Sequence, residues 1–321
     1  MHSFKELSVI FENHFTQRQF PENPYSLYDP AQYILNIGGK RVRPVVVLMA
    51  HELFGNINDH TFNVAAAIEL FHNFSLIHDD IMDKAPLRRG METVHTKYGE
   101  STAILAGDVM LVKAYEKLSE LDASVLPQIL KLFNKTSREV CEGQQLDMDF
   151  ESQPEVGLDD YVRMITLKTS VLLAASMQMG AILGNAGSED QLHIYEFGKN
   201  LGIAFQIQDD YLDAYGNPDK FGKQIGGDIL ANKKTFLLIH ALSVASERQK
   251  NELEQLVQSN SADKVQKVLN IFNQCDVASW AEKLKEKYFS DAMRHLEKID
   301  MDSNKKAPMA ELAGYLLQRD S

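Results

Sequence analysis

This sequence predicts an all-α protein, and three observations carry the expectation. Apolar residues recur at three- and four-residue spacing through most of the chain, strand-like alternation is nearly absent, and turn-forming residues are confined to short joints. With 321 residues, 44% of them apolar and 24% charged, the chain can bury a large core and is too apolar to stay disordered.

The elements follow in order. Val45-Val46-Val47-Leu48 is the one β-branched run, but it continues into Met49-Ala50-His51-Glu52-Leu53 with helical spacing and is assigned to a helix. After Gly55-Asn56 the helical pattern resumes over 58–83, then over 100–121 and 124–148, where Gln153-Pro154 interrupts it. The next run, 158–185, has the most apolar centre. Its stretch Val171 to Gly184 is broken by Ser176 and Gln178 and falls short of the about 20 residues a bilayer span takes, so it reads as a core helix. Beyond Gly184-Asn185-Ala186-Gly187 the pattern returns over 188–213, then past Gly216-Asn217-Pro218 over 228–246, and last over 276–299. No Ser/Pro-rich linker separates these runs, which predicts one domain spanning 1–321.

The formal charge of −12 argues against a broad grip on nucleic acid or an anionic membrane. An anionic ligand must then be held by a local cluster of bases or by metal ions. Two cysteines, Cys141 and Cys275, form no CxxC pair, and the amino end shows neither a signal-peptide nor a transit-peptide pattern. A reducing, cytoplasmic setting is expected.

One short pattern occurs twice. Asp79-Asp80-Ile81-Met82-Asp83 and Asp209-Asp210-Tyr211-Leu212-Asp213 both have the form DDxxD, each at the carboxyl end of an apolar helical run. Residues i and i+4 share a helix face, so Asp79 lies over Asp83 and Asp209 over Asp213. Stacked like charges near the negative end of a helix dipole are destabilising and call for a cation. Carboxylate oxygens without His or Cys suit Mg²⁺, which completes its shell with water and substrate phosphate. Bases stand beside both acid clusters: Gly38-Gly39-Lys40-Arg41-Val42-Arg43-Pro44, Arg88-Arg89-Gly90 after the first motif, and Lys223 to Lys233-Lys234 after the second. Acid, metal, diphosphate and base would form a neutral stack. His78-Asp79 alone could suggest an HD-type metal-dependent phosphohydrolase, but that reading leaves the second DDxxD and the basic loops unused. A non-catalytic partner subunit should have lost acids from one motif, and both are intact.

Taken in order, GGKRVRP, HDDIMDKAPLRRG, Lys168-Thr169, FQIQDDYLD and GKQIGGDILANKKT resemble the trans-isoprenyl diphosphate synthases, also called polyprenyl synthetases, most strongly over residues 30–240. The resemblance implies an isoprenoid synthase fold, a single large helical bundle around a central cavity with the two aspartate motifs facing across it, and a homodimer. It implies that Asp79, Asp80, Asp83, Asp209 and Asp213 hold two or three Mg²⁺ ions with the allylic diphosphate. Arg88, Lys168, Thr169, Gln206, Lys223 and Lys233 match positions that contact that diphosphate, and Lys40, Arg43, His72 and Arg89 match the pocket for isopentenyl diphosphate. Among these, Asp79, Asp83, Lys168, Asp209 and Lys223 are the expected catalytic groups. The stretch from Lys223 to Asp228 is one residue longer than in some farnesyl-type members.

The implied reaction suits these residue types. Breaking an allylic carbon–oxygen bond leaves a carbocation and a diphosphate, so the demand is to neutralise charge growing on the leaving group. No nucleophilic side chain is needed. In the family a large aromatic five positions before the first motif acts as a floor for the growing chain; here it is Phe74, about 7.5 Å along the helix from Asp79. Ser75 beside it is small, and Phe71 adds bulk. The floor and the uninterrupted DDIMD spacing resemble the archaeal geranylgeranyl type, which favours a C20 product with C15 as the alternative.

Overall fold

Residues 1–15, 18–216, 226–257, 259 and 261–317 are described by the computed structural model. Their helices are α1 (Phe4–Phe15), α2 (Tyr25–Asn36), α3 (Val42–Phe54), α4 (Asp59–Met82), α5 (Val94–Tyr98), α6 (Glu100–Ser119), α7 (Leu126–Ser152), α8 (Leu158–Ile165), α9 (Val171–Leu183), α10 (Ser188–Tyr215), α11 (Gly227–Leu230), α12 (Phe236–Val244), α13 (Glu247–Val257), α14 (Lys264–Gln274), α15 (Val277–Lys298) and α16 (Ser303–Leu317). Contacts divide the chain into two compact units, each assembled from three separate stretches: 1–135, 175–195 and 299–308 form the first, and 136–174, 196–298 and 309–321 the second.

In the first unit, α3 is wrapped on all sides, with Val45 to Ala50 wholly buried, which is why its β-branched run is helical: tertiary packing overrides propensity. Residues Val64 to Leu70 of α4 are buried in turn. Asn58 starts α4 with a reciprocal cap. Its Oδ1 accepts from the Thr61 amide at 3.3 Å, while its own amide donates to Thr61 Oγ1 at 3.0 Å. Close approach then depends on glycine. A Cβ on Gly180 would meet the Val47 carbonyl at 2.3 Å, and one on Gly107 of α6 would strike the His78 ring of α4 at 2.4 Å.

The second unit packs around Tyr161, Ile165, Ile203, Ile207, Phe236 and Phe272. Between α8 and α9 the helix widens into a π turn, Thr166–Ser170. Two glycines clasp it. A Cβ on Gly143 of α7 would stand 2.2 Å from the Lys168 amide nitrogen, and one on Gly202 of α10 would stand 2.8 Å from Ser170 Cα. A π turn interrupts the regular ladder and re-aims its side chains, here Lys168 and Thr169.

Two expectations need correction. Leu87–Arg88 and Met91–Glu92 form a short antiparallel hairpin, β1 and β2, closed by Arg89 and Gly90, both at positive φ (52° and 77°), the type I′ geometry that suits a two-residue hairpin. The run 228–246 is two helices, not one, because the chain turns at Asn232 (φ 58°). The expected run 158–185 is met by Leu158–Leu183, which continues through the π turn for 26 residues; by length and composition it would pass for a membrane span, and 72% of its most apolar window is buried within the protein.

Candidate active site

The first aspartate motif ends α4. Asp80 is 2% exposed, and its carboxylate takes a bidentate pair from Arg88 of β1, Nε to Oδ2 at 2.8 Å and Nη2 to Oδ1 at 2.7 Å. Burying a carboxylate is costly unless it is paired and hydrogen-bonded, and a fork of two charge-assisted bonds gives each oxygen one such bond. Asp79 is half-buried and Asp83, the C-cap of α4, is exposed. The motif thus divides. The middle acid is buried and paired within the protein, and the outer two lie nearer the surface. His78 does not pair with Asp79 as a metal couple; its ring lies over Gly107 with Nε2 3.2 Å from the Ile104 carbonyl.

Next to this motif the same unit gathers four arginines. Arg41 is neutralised by Glu69 and by Glu12 (3.0 Å), and Arg88 by Asp80. Among the described residues no carboxylate forms an ion pair with Arg43 or Arg89. Burial pushes the Arg43 guanidinium below its ordinary range, Glu69 opposes this, and Arg89 adds to it. His72 is held well below its usual value by burial first and then by Arg43, Arg89, Arg88 and Arg41, so its ring is neutral. A neutral ring can accept, and Arg43 Nη1 donates to His72 Nε2 at 3.3 Å. Arg43 Nε is buried with no hydrogen-bond partner among the described residues. A buried orphan donor on one of two arginines lacking ion-pair partners among the described residues marks a place for an anion. Lys40 is exposed, and the Arg89 guanidinium fits against Gly39, where a Cβ would stand 2.6 Å from Nη1.

Phe74 is half-buried and meets His78 edge-on at 4.8 Å and Phe71 at 5.5 Å. Phe71 is 1% exposed and packs edge-on against Phe133 at 5.4 Å, so it backs Phe74 instead of presenting its own ring. Ser75 Oγ donates to the His72 carbonyl at 2.9 Å.

In the second unit the same division recurs. Asp210 is 8% exposed, accepts from the Tyr161 hydroxyl, and takes the Gln206 Nε2 hydrogen bond at 2.8 Å. Its carboxyl is pushed up to about 7 by burial and Asp228, against the hydrogen bonds from Tyr161 and Gln206 and with a further push from Asp209. Asp209 and Asp213 are half-buried; Asp213 Oδ2 accepts the Asp228 amide at 2.9 Å, which ties the helix end to the loop that follows. Lys168 donates to Asp147 at 2.6 Å, Thr169 donates to Gln206 Oε1 at 3.3 Å, and Lys233 lies 3.9 Å from Asp228. Lys234 is turned away, bonded to the Phe150 and Gln153 carbonyls. Lys223 lies outside the described residues.

Sequence reasoning missed Asp147, Tyr161 and Glu69. Asp147 had a signal: it lies one turn beyond Gly143, on the face that approaches Lys168. Among the described residues no three His, Cys, Asp or Glu side chains form a ready-made metal site. The outer acids of both motifs supply hard carboxylate oxygens, the donor type that Mg²⁺ shares with water and phosphate.

The sequence pattern of the family described as polyprenyl synthetase matches residues 24–275. A short chain isoprenyl diphosphate synthase of Methanothermobacter thermautotrophicus is 36% identical over 298 residues, 92% of this chain and 91% of that one. A solved geranylgeranyl pyrophosphate synthase is 40% identical, with a TM-score of 0.94 over 100% of both chains. A polyprenyl synthase from Caulobacter crescentus CB15, solved with calcium and isoprenyl diphosphate, is 26% identical, with a TM-score of 0.88 over 99% of this chain and 96% of that one.

Proposed function

This chain belongs to the polyprenyl synthetase family, with its all-α isoprenoid synthase fold and prenyltransferase activity, and from that premise we propose that it joins isopentenyl diphosphate to allylic diphosphates, chiefly to C20 and alternatively to C15. The observation that carries the substrate assignment is the Arg43–His72–Arg89 cluster, where a neutral imidazole and an orphan buried N–H await an anion.

Lys40, Arg43, His72 and Arg89 bind the diphosphate of isopentenyl diphosphate, Arg in forked fashion and Lys as a point charge. Lys168, Thr169, Gln206, Lys223 and Lys233 take the allylic diphosphate, and Arg88 is assigned to that ligand by its match to the family pattern. Asp79, Asp83, Asp209 and Asp213 would hold Mg²⁺. When bound, that ion neutralises the charge growing on the diphosphate as the allylic carbon–oxygen bond breaks. Asp80, whose oxygens each take one Arg88 bond, would join this set only through the lone pairs those bonds leave. The allylic cation is attacked by the double bond of isopentenyl diphosphate, and the released diphosphate is the base that takes the proton then lost. Phe74 sets where elongation stops, and its company of Phe71 and Phe133 makes that floor stiff. Ile104, Leu105, Val112 and Tyr115 leave an apolar strip exposed on α6, which supports a homodimer.

The test is direct. Isopentenyl diphosphate supplied with dimethylallyl, geranyl or farnesyl diphosphate and Mg²⁺ should give C20 or C15 alcohols after dephosphorylation and chromatography. Products of C30 or longer would overturn the short-chain assignment.

A further inference from the structure

The loop before α3 turns through positive φ at three of four residues: 82° at Gly38, 152° at Gly39 and 48° at Arg41. Glycine takes these angles freely, whereas an arginine is strained there and must be held by its side chain. Arg41 is 8% exposed, and each arm of its guanidinium is engaged. Nη1 donates to Glu69 of α4, Nε donates to Glu12 of α1 at 3.0 Å, and Nη2 donates to the Leu35 carbonyl at 2.7 Å. Glu69 is buried in its turn and takes a second bond from Asn73 Nδ2 at 2.8 Å. The residue between the strained positions is Lys40, and two positions beyond the peg is Arg43. A cleft of about 270 Å³ lined by Ser8, Glu12, Gly39 and Lys40 lies where α1 meets the loop, so packing alone does not weld the two together.

We infer that Glu12 and Glu69 are positioning residues for the second-substrate pocket: by holding Arg41 they fix the loop that aims Lys40 and Arg43 at the diphosphate of isopentenyl diphosphate. The amino-terminal helix thereby sets affinity for a substrate it does not touch. This rests on the reading above that Lys40 and Arg43 bind that substrate.

Glu12→Gln keeps shape and removes the charge of a half-exposed group, so folding survives. It should raise KM for isopentenyl diphosphate about fivefold, the scale of one partly exposed ion pair, with kcat and the allylic KM within about twofold of wild type. Glu12→Asp should recover part of the loss. Titration calorimetry of isopentenyl diphosphate into metal-free protein should show the same weakening for Glu12→Gln, and a larger one for Glu69→Gln. Lys40→Ala and Arg43→Ala are the controls: if neither raises that KM, the pocket reading itself is wrong. If both do while Glu12→Gln leaves KM and the calorimetric affinity unchanged, the pocket stands and the positioning role is refuted. A uniform change in kcat and both KM values in Glu12→Gln would refute it as well, since that is the mark of a general structural defect.

Discussion

Within one DDxxD motif, stability and activity should come apart. Asp80→Asn keeps one acceptor for Arg88 but discards the charge and half of the fork. Breaking a fully buried pair costs about 3–5 kcal/mol. The Arg88 side chain is 26% exposed, so water takes part of its charge, and the cost falls to about 2 kcal/mol. For a chain of this size each kcal/mol moves the melting temperature by roughly 2 °C, which predicts a drop of about 4 °C. Asp83→Asn behaves in the opposite way. Asp83 is exposed at the C-cap and shares a helix face with Asp79, so losing its charge relieves repulsion and is worth about +0.5 kcal/mol at most. Its melting temperature in metal-free buffer should equal or slightly exceed that of wild type, while turnover at saturating Mg²⁺ should fall about 10²-fold. Scanning calorimetry with a chelator and a steady-state assay decide the matter. An Asp80→Asn protein that melts within about 1 °C of wild type would refute the division of roles, as would an Asp83→Asn protein that loses as much stability as Asp80→Asn.

Other perturbations probe the rest of the site. Phe74→Ala should lengthen the products without abolishing turnover, because it touches no charged group; an unchanged chromatogram would remove Phe74 as the floor. Arg43→Ala should raise KM mainly for isopentenyl diphosphate and Lys233→Ala mainly for the allylic partner, and equal effects on both constants would count against two pockets. His72 has a folded pKa well below its unfolded value of about 6.5, so the stability it contributes is full above that pH and is lost as pH falls below it. The melting temperature should therefore drop less between pH 7.5 and 5.5 in His72→Asn than in wild type, and identical drops would contradict the neutral imidazole. Leu105→Glu on the exposed strip of α6 should shift sedimentation toward monomer, and an unaltered profile would show that this strip is not the dimer contact.

Much of this fold was legible because its helices are long and their apolar spacing is regular. The Val45–Leu48 run was placed correctly by asking what followed it, since Met49 to Leu53 could not continue a strand. Short elements were harder. Two residues in each strand carry no periodicity, and the hairpin was marked only by Arg89-Gly90, whose first residue is not one that such turns prefer. The break at Asn232 has no proline or glycine to announce it. Lys264, from a helix that follows 32 positions later, holds Asn232 through its amine at 2.5 Å, a contact no local pattern encodes.

The split between middle and outer acids was, by contrast, half written in the spacing. In DDxxD the first and last acids stand about 40° apart around the helix and the second about 100° from the first, at 3.6 residues per turn. A helix buried on the side nearest the second acid can therefore enclose that acid while leaving the outer two nearer the surface. Both motifs obey this: Asp80 and Asp210 face inward, and Asp79, Asp83, Asp209 and Asp213 do not. An inward acid must be paid in hydrogen bonds from another element, and that partner is where sequence runs out. Arg88 lies near enough to Asp80 to be suspected, eight positions on. Tyr161 lies 49 positions before Asp210 on a different helix, and the only trace it leaves in the sequence is a tyrosine amid an apolar face, indistinguishable from ordinary core. The two middle acids are thus equivalent in pattern but not in chemistry. One pairs with the Arg88 guanidinium in a bidentate fork, and the other, paired with a phenol and an amide, orients Gln206, whose carbonyl in turn receives Thr169.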